Sequence, residues 1–183
     1  PISLISPIIE ILKNGALSGS NRGYSNRAAH ASCHAVNNEY YGGNHGGQGG
    51  RHQHTSSCGD FKEPVLMGGG GYHSSYGGGA LKLIVEGEII VDGSISASGQ
   101  TNTFSGGAGG SIWIITPKLT GEGGIYANGG HHASNSYYGA GGGGRIAIHT
   151  PDNSFEGTVT AIGGYGANSG YAGSAGSIYY NID

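Results

Sequence analysis

The sequence is poor in charge, in proline and in long apolar runs, and each shortage excludes a class of protein. Asp, Glu, Lys and Arg make up 10% of the 183 residues and form no basic stripe, so the electrostatic footprint of a nucleic-acid-binding protein is missing. No apolar run approaches the ~20 residues that a membrane-spanning helix needs. With five prolines, and with glycines that do not recur at every third position, the chain is not collagen. We therefore expect neither a nucleic-acid partner nor a membrane partner.

Glycine is the abundant residue, with 41 copies. Disorder is not favoured, because Ile, Leu, Val and aromatic residues gather in regular patches between the glycine tracts and the net charge is only -3. The tracts keep a constant phase relative to these patches. We expect them to pack closely as extended, polyproline-II-like backbones, with flexible loops as the alternative. They cover residues 68–71, 77–79, 106–110, 139–144 and 173–176.

An internal repeat of about 34 residues organises the chain. The segment Ile112–Ile115 returns as Ile146–Ile148, and residues 124–130 return as 158–164. Apolar and polar residues alternate within each copy, which is typical of half-buried strands. One copy cannot bury its apolar face alone, but copies paired side by side can. The sequence thus predicts a single all-β domain over 1–183, a right-handed β-solenoid (β-helix or β-roll) of about four to five rungs with stacked glycine-rich loops.

The order of the repeated segments resembles a known family. Residues 77–83 (GGGALKL), 92–99 (DGSISASG), 106–114 (GGAGGSIWI) and 141–148 (GGGGRIAI) are similar to the glycine-rich β-solenoid repeat of large extracellular and cell-surface proteins. A narrower resemblance is to the silintaphin-type partners of silicatein in sponge spicule filaments. This resemblance implies a non-catalytic scaffold that co-assembles with a silica-forming partner and orders it.

A His/Gly/Cys-rich insertion at 21–71 holds the densest group of reactive side chains. Cys33 and Cys58 are the only cysteines, and in an extracellular chain we expect them to form a disulfide. The alternatives are a zinc or copper site that uses the cysteines and nearby histidines, and a catalytic Cys/His pair, although the spacing matches neither well. The weak candidates for metal ligands are His30, His34, His45, His52 and His54.

Histidine and tyrosine predict surface contacts. Nine histidines outnumber the eight Lys and Arg residues, so protonation of all nine would reverse the sign of the net charge in mild acid. Such a surface would bind anionic partners, including silica or acidic polysaccharide. Tyrosines beside glycine favour contacts with a partner, or else stack over the glycine tracts within the chain. The tyrosines chosen as partner contacts are Tyr137, Tyr138, Tyr165 and Tyr171.

The scattered carboxylates do not predict an acid and base pair, so no catalytic residue and no cofactor are expected. They are Glu86, Glu88, Asp92, Glu122, Asp152 and Glu156. The function that we expect is a secreted, non-enzymatic structural scaffold that self-assembles or co-assembles with a partner such as silicatein, in silica biomineralisation. The alternatives are a carbohydrate-active β-helix enzyme and a surface adhesin or binding module.

Overall fold

The computed structural model describes residues 2–33, 40–51, 57–133, 137–166 and 171–182. Strands dominate this part of the chain. Its named helical element is the three-residue 3-10 turn Ala31–Cys33, and none of the described helices has the length of a membrane span. The eleven strands are β1 (Ile2–Ile11), β2 (Ala16–Ser18), β3 (Ala80–Val91), β4 (Ser94–Ser96), β5 (Ser111–Ile115), β6 (Lys118–Gly121), β7 (Gly124–Tyr126), β8 (Arg145–His149), β9 (Asp152–Phe155), β10 (Thr158–Thr160) and β11 (Ser177–Asn181).

Two strands end at the same sequence signal. Strands β5 and β8 are rich in isoleucine, which favours a pleated, half-buried backbone. Each is followed by a Thr-Pro pair, at Thr116-Pro117 and Thr150-Pro151. Because proline has no N–H to donate to the ladder, it ends the strand and turns the chain toward the next one.

The strands form two sheets in which every pair of named strands is parallel. Sheet A has seven strands in the order β11-β8-β5-β3-β6-β9, with β1 also paired to β3, and sheet B has the order β10-β7-β4-β2. Equivalent positions of successive copies lie side by side: Ile112 pairs with Leu81 on one side and with Ile146 on the other. The buried apolar side chains of both sheets form one core cluster.

The prediction of a right-handed β-solenoid with four to five rungs is wrong. That prediction treats all copies as equivalent turns of one coil. Instead, β3 continues through the position where later copies break at a Thr-Pro pair, and it contacts both β5 and β6 along its twelve residues. Sheet A therefore curls as a half-barrel, and the three-residue strands form a separate sheet B. Parallel pairing is the arrangement of α/β sheets, yet no α-helix occurs in the described residues.

Four of the five glycine tracts are buried, all but 173–176, and the tracts are bonded to one another. Gly142 donates to the carbonyl of Gly43 (3.0 Å), Gly43 donates to Gly106 (2.9 Å), and Gly109 donates back to Gly142 (2.9 Å). The insertion contributes to this layer, since Gly69 donates to Asn44 (3.1 Å). Backbones can approach this closely only where no side chain intervenes. A Cβ built on Gly141 would fall on the carbonyl oxygen of Gly107.

Candidate functional site

Two edge strands of sheet A, β1 and β11, expose apolar side chains in the columns that form the core, and β9 is a third edge strand, paired only with β6 among the named strands. One column runs through Ile2, Leu81, Ile112, Ile146 and Ile178. Its three middle members are buried, whereas Ile2 is 70% exposed and Ile178 is 40% exposed. The core is therefore open to solvent at both edges of the sheet.

The next column repeats this pattern. It runs from Leu4 through Leu83, Ile114 and Ile148 to Tyr180. Leu4 is 40% exposed and Tyr180 is 44% exposed. The buried part of Tyr180 raises the pKa of its phenol. Within the described residues, β1 pairs only with β3 and β11 pairs only with β8. Each edge thus presents unpaired backbone groups next to apolar side chains.

A second surface is formed by loops of different copies that lie together. The backbone N–H of Asn102 donates to the backbone carbonyl of His131 (3.1 Å). The backbone N–H of His132 donates to the backbone carbonyl of Tyr165 (3.1 Å). Tyr76 and Gln100 exchange two bonds, one through the Gln100 side chain. These loops and residues 40–51 carry aromatic and imidazole rings on the same surface. We call these rings, together with Arg27 and Arg51, the aromatic face. Its members are Arg27, Tyr40, Arg51, Tyr72, His73, Phe104, His131, Tyr137, Tyr138, Tyr165 and Tyr171.

The rings of the aromatic face contact one another across the loops. Tyr138 stacks on Tyr72 with 6.0 Å between centroids and meets the ring of Phe104 edge-on at 5.3 Å. His73 stacks on Phe104 at 4.4 Å. Such contacts between rings contribute stability in addition to the stability that comes from burying their apolar area. The loops are therefore held together by side chains as well as by backbone bonds.

Two arginines lie over these rings. The guanidinium of Arg51 is 4.7 Å from the ring centroid of Tyr171, 5.3 Å from that of Tyr40 and 5.7 Å from that of Tyr137. It also donates to the backbone carbonyl of Tyr137. Arg27 lies 5.3 Å from the ring of Tyr72. Both cations are thus held in place by cation–π contacts.

The tyrosines that we expect to contact a partner all lie on this face. Tyr137 meets Tyr171 edge-on at 6.5 Å, and Tyr138 belongs to the ring cluster. Tyr165 stacks on His131 at 4.9 Å. Although these contacts are within the chain, Tyr137 remains 67% exposed and Tyr165 65% exposed.

Cys33 and Cys58 form a disulfide, which confirms that prediction. Both residues are buried. The bridge is linked to sheet A because the Cys58 carbonyl accepts a bond from Arg145 Nε (2.7 Å), while the Arg145 guanidinium also donates to Ser177 Oγ (2.8 Å). Burial lowers the pKa of Arg145, and the Asp60 carboxylate opposes that effect.

His45 lies in the interior beside this disulfide. Its Nδ1 is 2.9 Å from the Gly109 carbonyl oxygen, so Nδ1 carries the proton. Its Nε2 has no hydrogen-bond partner. Desolvation lowers the pKa of His45 to about 4. His45 therefore does not follow the expectation that all nine histidines become charged in mild acid, and burial also lowers the pKa of His132.

The structure brings no metal site together within the residues it describes. Neither His30 nor His45 lies in a group of three or more His, Cys, Asp or Glu side chains, because no such group occurs there. His30 instead contacts Ser32 Oγ through Nδ1 (2.8 Å). The other candidate ligands, His34, His52 and His54, lie outside the described residues.

The carboxylates lie on or next to the strands of the sheets and not on the described loops of the aromatic face. Asp92 and Glu122 line one groove with Lys13. Glu88 makes contacts within the fold. It accepts a hydrogen bond from Thr120 Oγ1 (2.8 Å) and forms an ion pair with Lys118 Nζ (3.2 Å), and these contacts lower the pKa of its carboxyl. Among the described residues, no carboxylate pair is held against a buried acid or base.

Sequence reasoning missed several members of the aromatic face. A local signal marks four positions of this face, because an aromatic or cationic residue follows a Gly-Gly pair at Arg51, Tyr72, His131 and Tyr165. Phe104 and Arg27 carry no comparable signal, and only the meeting of the loops shows their role.

Comparisons with protein-family models, with curated proteins and with solved structures give no match to this chain.

Proposed function

We propose that this protein is a non-enzymatic, extracellular structural protein that assembles with copies of itself through the two edges of sheet A. The observation that carries the proposal is the pair of apolar columns that are buried in the middle of the sheet and exposed at both edges. A second copy can continue these columns because the two edges carry side chains of the same class at equivalent positions.

Head-to-tail pairing follows from the strand registers. Ile2 is equivalent to Leu81, and Ile178 is equivalent to Ile146, so joining β11 of one copy to β1 of the next places Ile2 beside Ile178. Leu4 then lies beside Tyr180. All pairs inside sheet A are parallel, and the joined pair would be parallel too.

The energetics favour this contact. Burying one Ile or Leu side chain stabilises a contact by about 1.5–3 kcal/mol, and the backbone groups of both edges gain partners. Glu10 is the only charged residue on the two strands, so little repulsion opposes the contact. The register limits the pairing with β11 to the part of β1 before Pro7, which itself has no N–H to donate. Beyond Pro7, β1 would face β9, because Ile8 pairs with Glu88, Glu88 with Lys118 and Lys118 with Asp152.

An extracellular location is part of the proposal. A disulfide is compatible with an oxidising compartment, and a surface with few charges favours association. The resemblance to silintaphin-type proteins makes silicatein and silica the first co-assembly partners to test.

The test measures molar mass against protein concentration by light scattering after gel filtration. The wild-type chain is expected to grow beyond 18.4 kDa as concentration rises. Leu4→Lys places a charge in the β1 edge and is expected to lower the self-association constant at least tenfold. Thr103→Lys, an exposed position away from both edges, is the matched control and should associate as the wild type does. A monomeric wild-type chain at high concentration overturns the proposal.

A further inference from the structure

The described loops of the aromatic face differ in charge from the turns of the sheets. The described loops that carry the aromatic face contain no Asp or Glu: residues 21–33, 40–51, 70–78, 98–108, 128–133, 137–142, 161–166 and 171–175 have none. The same loops carry Arg27 and Arg51. Asp92 and Glu122 lie instead at the turns that follow strands β3 and β6 of sheet A, and Glu86 lies within β3. The described residues of these loops therefore carry positive charge, although the whole chain is acidic.

The two arginines keep donors for a ligand. In the described part of the chain the only ion pair is that of Lys118 with Glu88, so neither Arg27 nor Arg51 is neutralised there by a carboxylate. A guanidinium has five donors, and Arg51 uses one nitrogen on the carbonyl of Tyr137. The planar fork is suited to two-point binding of a carboxylate or a sulfate.

The exposed rings beside these cations favour a flat, partly apolar ligand. Tyr137 lies 5.7 Å from the Arg51 guanidinium and is 67% exposed. Tyrosine offers a rigid apolar ring with a polar tip, which suits a sugar ring that has an apolar face and hydroxyl groups at its edge. The contacts of Arg51 with three tyrosines hold cation and rings in fixed relative positions.

We propose that the aromatic face binds an acidic polysaccharide, with the carboxylate or sulfate groups on Arg27 and Arg51 and the sugar rings against Tyr137 and Tyr165. The polymer suits this surface better than a single sugar, because rings and cations continue from loop to loop along the face. The proposal goes beyond the assembly proposed above and uses none of its residues.

The experiment measures binding of the whole chain to heparin, to alginate and to neutral dextran by titration calorimetry at low and physiological salt. Binding to the two acidic polymers, weaker at higher salt, and no binding to dextran are expected. Equal binding to dextran, or tighter binding to poly-glutamate or colloidal silica than to either glycan, overturns the proposal.

Substitutions locate the site. Arg51→Gln and Tyr137→Ala are each expected to raise the dissociation constant at least tenfold, and Arg51→Lys to raise it less than Arg51→Gln. Lys13→Gln removes the same charge from an exposed position among the carboxylates and serves as the matched control. An equal loss in Lys13→Gln contradicts the site.

Two further variants separate binding from folding and from assembly. Arg27→Gln removes the second cation without touching the Arg51 contacts, so it tests the face even if Arg51→Gln unfolds. Leu4→Lys should bind the acidic glycans as well as the wild type, since it changes only the edge of sheet A. Loss of binding in Leu4→Lys, or none in Arg27→Gln, contradicts the proposed site.

Discussion

The ring Nδ1 of His45 lies 2.9 Å from the carbonyl oxygen of Gly109, a residue 64 positions further along the chain. This bond joins the insertion to the glycine layer inside the molecule. Burial favours the neutral form of His45 by lowering its pKa, although the bond to Gly109 opposes this effect, and the other ring nitrogen is buried without a partner.

Acid is therefore expected to destabilise the fold through His45. Its pKa is about 4 in the folded chain and 6.5 ordinarily, so between these values the unfolded chain binds more protons. The stabilisation from keeping His45 neutral is present in full above pH 6.5, and the free energy of unfolding falls as pH decreases toward 4, by about 3 kcal/mol in total. Urea unfolding at several pH values measures it. His45→Gln should flatten the dependence, and an unchanged slope in that variant would contradict the assignment.

The disulfide is expected to stabilise the fold by restricting the unfolded chain. Closing the 25-residue separation between Cys33 and Cys58 is worth about 3 kcal/mol in the loop-entropy description. The double change Cys33→Ser and Cys58→Ser should lower the free energy of unfolding by that amount. The wild-type chain with reductant should show the same loss. No loss in either sample would mean that the buried contacts of Cys58 with His45 and Arg145 alone hold the insertion.

Close packing of glycine backbones is expected to make Gly141→Ala costly. The added Cβ would meet the backbone of Gly107, which belongs to a neighbouring tract and cannot rotate away. We expect a loss of about 3 kcal/mol, at the upper end for overpacking. Gly19→Ala is the matched control, because its Cβ would meet only the flexible end of the Leu81 side chain at 3.3 Å. Thermal unfolding compares the two variants, and equal melting temperatures would contradict a rigid glycine layer.

The sequence predicts the local features of the fold better than its topology. The pairing of Ile112 with Ile146 is visible in the repeat, and the two cysteines leave one possible bridge. The sequence does not predict that β3 is one continuous strand. Glu86 and Gly87 have no partner of their own on β1, but the residues on both sides of them pair with β1 and keep β3 continuous.

The candidate sites show the same difference between local positions, which the sequence predicts, and contacts between distant segments, which it does not. The tyrosine positions stand out beside glycine, but their meeting with Phe104, Arg27 and Arg51 depends on how the loops approach one another. The burial of His45 depends on the insertion returning to the glycine layer. Such contacts between distant segments leave no periodic signal in a sequence.

Edge-to-edge assembly is tested most directly by mixing two variants, each with one blocked edge. Leu4→Lys blocks the β1 edge and Ile178→Lys blocks the β11 edge, so each variant alone should be monomeric. In an equimolar mixture one pair of intact edges remains, and sedimentation equilibrium should show a species of twice 18.4 kDa that does not grow further. A mixture that stays monomeric, or single variants that assemble as the wild type does, would contradict the account.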